Sequence, residues 1–365
     1  MIKYFFAFIM LLHGLIHFMG FAKAFGYGNI TQLTKDISKT NGALWLLTAI
    51  LFVAATILFL LKKDSWPWIA VVAAVISQIL IITVWKDAKF GSIANAIVLL
   101  AAIAAWGSQQ FESTFTKDVK THLRQTNTDK TDLLTETDIQ FLPLPVQKYI
   151  RYCGAINKPL IKNIKVVFDG EMRDKGKDWF TFRSVQYNFY DNPARLFFMK
   201  ALMYRITVPG YHCYQNATAT MQIKLFGLFN VVNIKGAIMN KAETVTVFND
   251  MCLMAPATLI DKKIEWIPID SLSAKAIFTN GVSKITATLY FNEQGQLVNF
   301  TSDDRYAVGD MQQYRFSTPV KDYTQIKGRK IMQYGETVWH YPDGEFVYGK
   351  FNLKSIEYNV VDFRR

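Results

Sequence analysis

The sequence predicts a membrane protein of two unlike parts: an N-terminal four-helix transmembrane bundle and a C-terminal α+β domain dominated by antiparallel sheet. Two observations predict this division. Four long apolar blocks lie within the first 110 of the 365 residues, and none of that kind follows. From Ile164 onward the hydrophobic pattern changes to a period of two, which is typical of strands.

The apolar blocks are compatible with helices that cross a bilayer, for which roughly 20 residues are needed. The first block continues to about Phe21, so it is longer than the core of a signal peptide and is predicted to be retained. Trp66 and Trp85 flank the third block, at the level where indole rings prefer the lipid head groups. The predicted spans cover about residues 4–25, 43–61, 66–85 and 90–106, within a domain of residues 1–110.

Two histidines interrupt the first block. His13 and His17 are four residues apart, so on a helix they share one face. An ionisable side chain inside a bilayer is costly, which makes the pair a candidate metal or proton-relay site. A metal needs a further ligand, and the four spans contain no other Cys, His, Asp or Glu. The alternative is that both neutral rings hydrogen-bond across helices, for example to Ser77, Gln78 or Asn95, and we predict no metal and no cofactor.

Composition argues against several classes of function. The formal net charge of +12 is spread along the chain without a run of five or six basic residues. This mild excess suits a surface near anionic lipid, and without a nucleic-acid motif it predicts no nucleic-acid partner. Cys153, Cys213 and Cys252 have no CxxC spacing, which argues against a disulfide framework. Scattered single cysteines favour a reducing compartment, so we expect the second domain on the cytoplasmic side.

Residues 111–140 are polar and rich in Thr and Lys, and they are predicted to be a linker that is partly helical. A soluble β-rich domain is predicted to follow over residues 141–365. Its strands include Lys284–Phe291, which alternates apolar and polar residues and continues through a turn at Asn292–Gly295 into a hairpin. One long helix is predicted from Asn240 to about Met254, because its first turn resembles a capping box.

Aromatic residues occur on both faces of the strand predicted from Trp179 to Tyr190, so both faces of the sheet need cover. One helix of about four turns cannot shield a whole sheet. A curved sheet partly closed by that helix would leave an apolar pocket, which is where ligands tend to bind. An ordinary packed core is the alternative. The candidate lining residues are Trp179, Phe182, Phe189, Phe198 and Phe226.

Catalytic motifs are absent from the sequence, which contains no Walker loop, no GxSxG and no HExxH. His212 and Cys213 are adjacent on a predicted strand and point to opposite faces, so they cannot form a thiol–imidazole pair. The remaining candidates for acid–base chemistry are Asp250, Asp261 and Asp303. Carboxylates of this kind are more often solvated in turns.

Segments of the C-terminal domain resemble an uncharacterised bacterial family, a domain of unknown function, over about residues 140–360. This family has no assigned activity, so the resemblance implies no catalytic residues. It implies a multi-pass protein of the bacterial cell (inner) membrane. The segments are Leu142–Arg151, Phe168–Arg173, Ala255–Asp261, Phe291–Gly295 and Asp303–Arg305.

Two further resemblances concern architecture. The segments His13–His17 and Asp87–Asn95 are similar to segments of DoxX-like four-helix membrane proteins. The aromatic antiparallel sheet is similar to the half-barrel of lipoprotein and lipid carriers, which is a likeness of architecture alone. It implies a half-barrel-like sheet in the C-terminal domain.

Three functions are compatible with these features. The first is a membrane-anchored module that binds an apolar or lipid-like ligand in its β domain, with membrane lipids and an apolar small molecule as partners. The second is a membrane-associated enzyme that uses loop carboxylates. The third is a small transporter or redox partner that acts through His13 and His17. The sequence does not indicate the oligomeric state.

Overall fold

A computed structural model of the chain describes residues 2–126, 132–307 and 309–364. Residues 127–131, in the middle of the predicted linker, lie outside the described residues. The chain forms two compact units, Met1–Phe111 with Phe226–Leu228 and Glu112–Leu225 with Phe229–Arg365.

The N-terminal unit is helical. Four stretches are long and apolar enough to cross a membrane, namely Lys3–Phe25, Lys39–Leu60, Trp66–Thr83 and a part of Gly91–Gln125. Its helices are α1 (Ile2–Ile16), α2 (Phe18–Phe25), α3 (Lys39–Leu60), α4 (Trp66–Thr83), α5 (Trp85–Ala88) and α6 (Gly91–Gln125), whose last turns belong to the second unit.

Small residues hold these helices together, as is usual for helix pairs in lipid. Ala70 and Ala73 of α4 and Ala102 of α6 are almost completely buried in one apolar cluster with Phe52 of α3. Large apolar side chains point outward instead, and Leu100 is 69% exposed. An apolar exterior of this extent is characteristic of a surface that contacts lipid or another protein.

The fourth helix is longer than predicted. Its apolar part was expected to end near residue 106, with a partly helical linker from 111, and the helix continues without interruption to Gln125. Beyond the apolar block, Phe115, Val119 and Leu123 recur at a spacing of four residues and are buried. This spacing places them on one face of an amphipathic helix. The first half of the predicted linker is therefore a packed helix.

The second unit contains one antiparallel sheet of thirteen strands in the order β6-β5-β4-β3-β2-β1-β13-β12-β11-β10-β9-β8-β7. The strands are β1 (Asn163–Met172), β2 (Phe180–Phe189), β3 (Ala194–Met203), β4 (Ile206–Gln215), β5 (Thr218–Leu225), β6 (Phe229–Lys235), β7 (Ile264–Pro268), β8 (Ser273–Asn280), β9 (Ser283–Phe291), β10 (Leu297–Tyr306), β11 (Gln313–Ile326), β12 (Arg329–Tyr341) and β13 (Gly344–Tyr358). Two short helices, α7 (Glu136–Ile139) and α8 (Leu144–Tyr152), precede them, and α9 (Ala237–Met254) and a 3₁₀ turn (Pro256–Ile260) join β6 to β7.

The sheet curls around α9. The ring of Phe248 on α9 stacks on Phe278 of β8, with 5.2 Å between centroids. On the same helix Thr244 shares a 2.9 Å hydrogen bond with Tyr214 of β4. β4 and β8 lie near opposite edges of the strand order, yet Asn280 of β8 donates a 2.7 Å hydrogen bond to the Tyr214 hydroxyl. The sheet is therefore a half-barrel with α9 on its concave face.

The start of α9 differs from the predicted capping box. The helix begins at Ala237 after Gly236, three residues before Asn240. The Asn240 side chain does not cap the helix, because its oxygen accepts the backbone N–H of Ala219 on β5 at 2.7 Å. Glu243 is consequently free of a capping role and lies within the helix.

The convex face of β2, β3 and β4 is covered by the last turns of α6. The Phe115 ring stacks on Phe198 of β3, with 5.4 Å between centroids. His122 stacks on Phe189 of β2 at 4.9 Å, and Asp118 accepts a 2.8 Å hydrogen bond from the hydroxyl of Tyr211. Both faces of this part of the sheet are thus covered by helices, which explains its aromatic residues on both faces.

Candidate functional site

A cavity of about 820 Å³, partly open to solvent, lies between α9 and the concave face of the sheet. Its volume falls within the range of roughly 300 to 1,000 Å³ that is usual for small-molecule sites. Most of its surface is apolar. The apolar lining includes Phe180, Phe197, Met199, Met221, Met239, Leu253, Trp339 and Phe351.

The cavity-facing side of α9 follows the helical period. Met239, Glu243, Thr246, Asp250 and Leu253 line the cavity at spacings of three or four residues, which places them on one face. Ile238 does not contribute to this wall and is 40% exposed. The helix therefore presents a mixed wall, with apolar ends and two carboxylates between them.

Arg195 of β3 holds both of these carboxylates. Its Nε atom donates to Asp250 Oδ2 at 2.8 Å, and its Nη1 atom donates to Glu243 Oε2 at 3.3 Å. The Arg195 and Glu243 side chains are 9% and 5% exposed, and that of Asp250 is 11% exposed. A buried charge without a partner would be costly, so the three groups depend on one another.

Amide and imidazole groups complete this cluster. The side-chain amides of Gln186 and Asn188 on β2 donate to Asp250 Oδ2 at 2.6 and 3.0 Å. On β4, His212 places Nδ1 at 3.6 Å from Glu243 Oε1. The polar wall of the cavity is therefore closely partnered by the protein.

The environment keeps Glu243 ionised. Burial alone would raise the pKa of its carboxyl, but the contact with His212 and the positive charge of Arg195 outweigh burial and hold the pKa at about 2, below the ordinary 4.5. Burial likewise opposes the charge of Arg195, yet Asp250 and Glu243 raise the pKa of its guanidinium. At neutral pH the cluster contains a permanent ion pair.

The cysteines are poorly suited to nucleophilic catalysis. Cys153, Cys213 and Cys252 are free and buried. Burial is the main cause that raises the pKa of the Cys153 thiol to about 12 and that of Cys213 to about 11. A thiol with so high a pKa contains almost no thiolate at neutral pH.

The structure separates the three carboxylates that were candidates for acid–base chemistry. Asp250 lines the cavity and pairs with Arg195. Asp261 accepts the backbone N–H of Lys263 at 2.8 Å, and Asp303 pairs with Arg315 at 2.8 Å on the exposed surface. Neither Asp261 nor Asp303 is among the described residues that line the cavity.

None of the five aromatic residues predicted as lining is among the described residues that line the cavity. Phe189 and Phe198 point to the convex face and contact α6. Phe182 contacts the lining residue Phe351 edge to face, with 5.2 Å between ring centroids. The ring centroid of Trp179 lies 4.4 Å from the guanidinium carbon of the lining residue Arg173. Phe226 lies in the turn after β5 and is 37% exposed.

Strand parity explains why other residues line the cavity. Phe197 lines it whereas its neighbour Phe198 does not, because successive side chains of a strand point to opposite faces. A strand that is buried on both faces gives no sequence signal for the concave side. The missed charged residues Arg195 and Glu243 also looked like ordinary surface residues of a strand and a helix.

In the N-terminal unit the two histidines join a buried polar network. His17 Nδ1 donates to the His13 carbonyl at 2.8 Å, so its Nε2 accepts from the Ser77 hydroxyl at 2.9 Å. His13 Nε2 lies 2.9 Å from Asn95 Oδ1, and Asn95 in turn donates to Gln78 Oε1 at 3.1 Å. Among the described residues no three His, Cys, Asp or Glu side chains gather as metal ligands.

Comparisons with known proteins give a family and a distant structural likeness. A family model described as a family of unknown function, DUF6544, matches residues 132–351. No protein with a curated description matches the chain. The crystal structure of a LolA superfamily protein from Nitrosomonas europaea is 9% identical, with a TM-score of 0.35, over 58% of this chain and 93% of that chain. At this identity and TM-score, neither fold nor ligand is transferred to this chain.

Proposed function

This chain belongs to DUF6544, a family of unknown function, and we propose that its β-rich domain is a membrane-anchored module that binds an apolar or lipid-like ligand in the cavity. The observation that carries the proposal is the cavity of about 820 Å³ between α9 and the concave face of the sheet. Its walls are mainly apolar, and burying an apolar ligand there would be favourable by about 25 cal/mol for each Å² removed from water.

The composition of the lining supports a ligand of variable shape. Among the described residues, seven methionines line the cavity: Met172, Met199, Met203, Met221, Met239, Met254 and Met332. Methionine side chains are unbranched and adapt to differently shaped apolar partners. Asn249 of α9 also lines the cavity, and its side-chain oxygen is buried without a hydrogen-bond partner in the described part of the chain. A polar group of the ligand would satisfy it.

The helices of the N-terminal unit support membrane anchoring, since four stretches are long and apolar enough to span a bilayer. Membrane lipids are then the nearest source of ligand. The proposed location is the bacterial inner membrane, with the β domain on the cytoplasmic side, where free cysteines such as Cys153 are maintained. The similarity of the helices to DoxX-like proteins is part of this proposal.

The enzyme alternative has less support. The carboxylates that line the cavity, Asp250 and Glu243, are both held by Arg195, and the low pKa of Glu243 makes it a poor proton donor or acceptor near neutral pH. The transport or redox alternative, which depends on His13 and His17, also has less support. Their rings hydrogen-bond to Asn95 and Ser77, and these contacts favour a structural role.

The proposal is tested by filling the cavity. Ala242 lines the cavity on α9, and in Ala242→Phe the added ring would occupy space that a ligand needs. The full chain is purified in a non-ionic detergent and examined by native mass spectrometry with lipid extraction. We expect the wild type to carry about one amphiphile per chain and the variant to carry several-fold less, because the apolar contact area is lost.

Ile238→Phe is the matched control, since it adds the same ring to an exposed position of the same helix. It should carry the wild-type amount. Thermal unfolding of all three proteins reports whether each is folded. Folded wild-type protein that carries no amphiphile, and takes up none of an added fatty acid, would refute the proposed function.

A further inference from the structure

Two arginines that line the cavity differ from Arg195 in one respect. Arg173, just after β1, and Arg305 of β10 have no carboxylate within ion-pair distance among the residues that the structure describes. Arg195 donates hydrogen bonds to Asp250 and Glu243. The cavity therefore contains one satisfied guanidinium and two whose charge has no direct carboxylate partner.

A break in the strand alternation brings Arg305 to the cavity. Where β10 pairs with β11, the register shifts between Ser302 and Arg305, which inserts one extra residue as a bulge. The Arg305 guanidinium then lies over the ring of Phe316 at 4.0 Å and is 5.5 Å from the centroid of Trp339. These contacts restrain the side chain, and no hydrogen bond from its guanidinium reaches another described residue. Its N–H donors are therefore available to a ligand.

Arg173 is held in a similar way. Its guanidinium carbon is 4.4 Å from the centroid of Trp179 and 4.9 Å from that of Phe346. The Nε atom donates to the carbonyl of Val347 at 3.0 Å, which leaves the two terminal nitrogens without a described acceptor. Contact with these two rings restricts the Arg173 side chain, so it loses less conformational entropy when a ligand binds.

The two guanidinium groups belong to the same wall of the cavity. Trp339 of β12 and Phe346 of β13 are direct cross-strand partners, and both line the cavity. Side chains opposite each other on paired strands have Cβ atoms roughly 5 Å apart. Arg305 lies near the first of these rings and Arg173 over the second.

Acidic groups along the cavity do not neutralise this pair directly. Glu243 is bound by Arg195. It interacts electrostatically with Arg305, but the two groups lie farther apart than an ion pair. Glu336 accepts the hydroxyl of Tyr334 at 2.7 Å. Lys175, a further cation of the lining, pairs with Asp343 at 2.6 Å, and Asp174 beside it is exposed.

We propose that Arg173 and Arg305 bind the anionic end group, a carboxylate or a phosphate, of an amphiphile whose apolar chain occupies the cavity. This inference rests on the proposed function and names its ligand class. Guanidinium groups match both oxyanions, since their parallel N–H donors bind two oxygens at once. Carboxylate and phosphate ends share this chemistry, and the experiment separates them.

The test compares two photoactivatable probes that differ only at the end group: a diazirine fatty acid and the corresponding diazirine fatty alcohol. Each is titrated into the full chain in a non-ionic detergent, and cross-linked peptides of residues 168–351 are quantified by mass spectrometry. We expect the acid to label these peptides at a concentration at least about tenfold lower than the alcohol, the usual worth of a hydrogen bond to a charged group.

Arg305→Gln and Arg173→Gln remove one charge each and should bring the acid to within a few-fold of the alcohol, because labelling by the acid depends on the lost charge more than labelling by the alcohol does. Arg315→Gln is the matched control, because Arg315 is an exposed arginine paired with Asp303. It should behave as the wild type. If a variant does not fold, the comparison of acid and alcohol on the wild-type protein still decides.

Competitors identify the end group. Unlabelled palmitate and a monoacylglycerol phosphate should both displace the acid probe, and the stronger of the two indicates carboxylate or phosphate as the preferred end. Displacement by inorganic phosphate alone, with neither amphiphile effective, would overturn the inference. Equal labelling by acid and alcohol would also overturn it while leaving the proposed function intact. Labelling of the cavity by neither probe would refute both.

Discussion

Glu243 and Asp250 lie two turns apart on α9 and share one buried cation, Arg195. The sequence pointed to Asp250 as one of several carboxylates expected in loops or at element ends, whereas it lies within α9. It did not point to Arg195 or to the function of Glu243, since a basic residue on a strand and an acidic one near a helix start are usually solvated. Such pairs depend on contacts between segments about fifty residues apart, which no local pattern encodes.

The Glu243 carboxyl predicts a specific pH dependence of stability. Its pKa is about 2 in the folded chain against an ordinary 4.5, so the carboxylate stabilises the fold fully above about pH 4.5. This contribution is lost as the pH falls from 4.5 towards 2, because the unfolded chain then binds the proton first. The unfolding temperature of the wild type should fall more steeply between pH 5 and pH 3 than that of Glu243→Gln.

Glu293→Gln serves as the control for this measurement. Glu293 is exposed in the turn between β9 and β10, so its replacement should leave the steep wild-type dependence unchanged. Parallel curves for the wild type and Glu243→Gln would show that the buried carboxyl does not stabilise the fold as described.

At the scale of elements, α6 departs most from expectation. The sequence predicts its apolar part correctly as a helix, but hydropathy alone places its end near residue 106 rather than at Gln125. The signal for the remainder was present in the spacing of Phe115, Val119 and Leu123. Its interpretation requires knowing that an aromatic convex face of the sheet needs a cover, and this follows only from the fold.

The packing of α6 on the sheet predicts the effect of Phe115→Ala. Phe115 is 3% exposed, and its ring contacts Phe198 and Tyr211. Removing a buried phenyl ring typically costs about 3 to 5 kcal/mol through lost burial and a residual cavity. Unfolding of the full chain in a non-ionic detergent, followed by near-ultraviolet circular dichroism, measures this change.

Thr121→Ala alters the exposed side of the same helix and should change the stability by less than about 0.5 kcal/mol. If both variants unfold like the wild type, the last turns of α6 do not pack on the sheet, and residues 111–126 are a linker after all.

At the scale of the whole molecule, the sheet joins the ends of the β-rich domain. β1 pairs with β13, and nearly two hundred residues separate partners such as Ile164 and Tyr358. The period of two predicts the strands, and the hairpin at Asn292–Gly295 predicts one neighbouring pair. The closure of β1 on β13, and the curl that encloses a cavity, depend on long-range register, so the sequence could predict a pocket but not its lining.

The central claim is that this cavity holds an amphiphile. The most direct test is a cryo-electron microscopy map of the full chain, extracted in native membrane nanodiscs without added lipid. We predict elongated density between α9 and the concave face of the sheet, along Phe197 and Met199, with one end at Arg173 and Arg305. A map in which the lining side chains close on one another, leaving no space for a chain, would contradict the account.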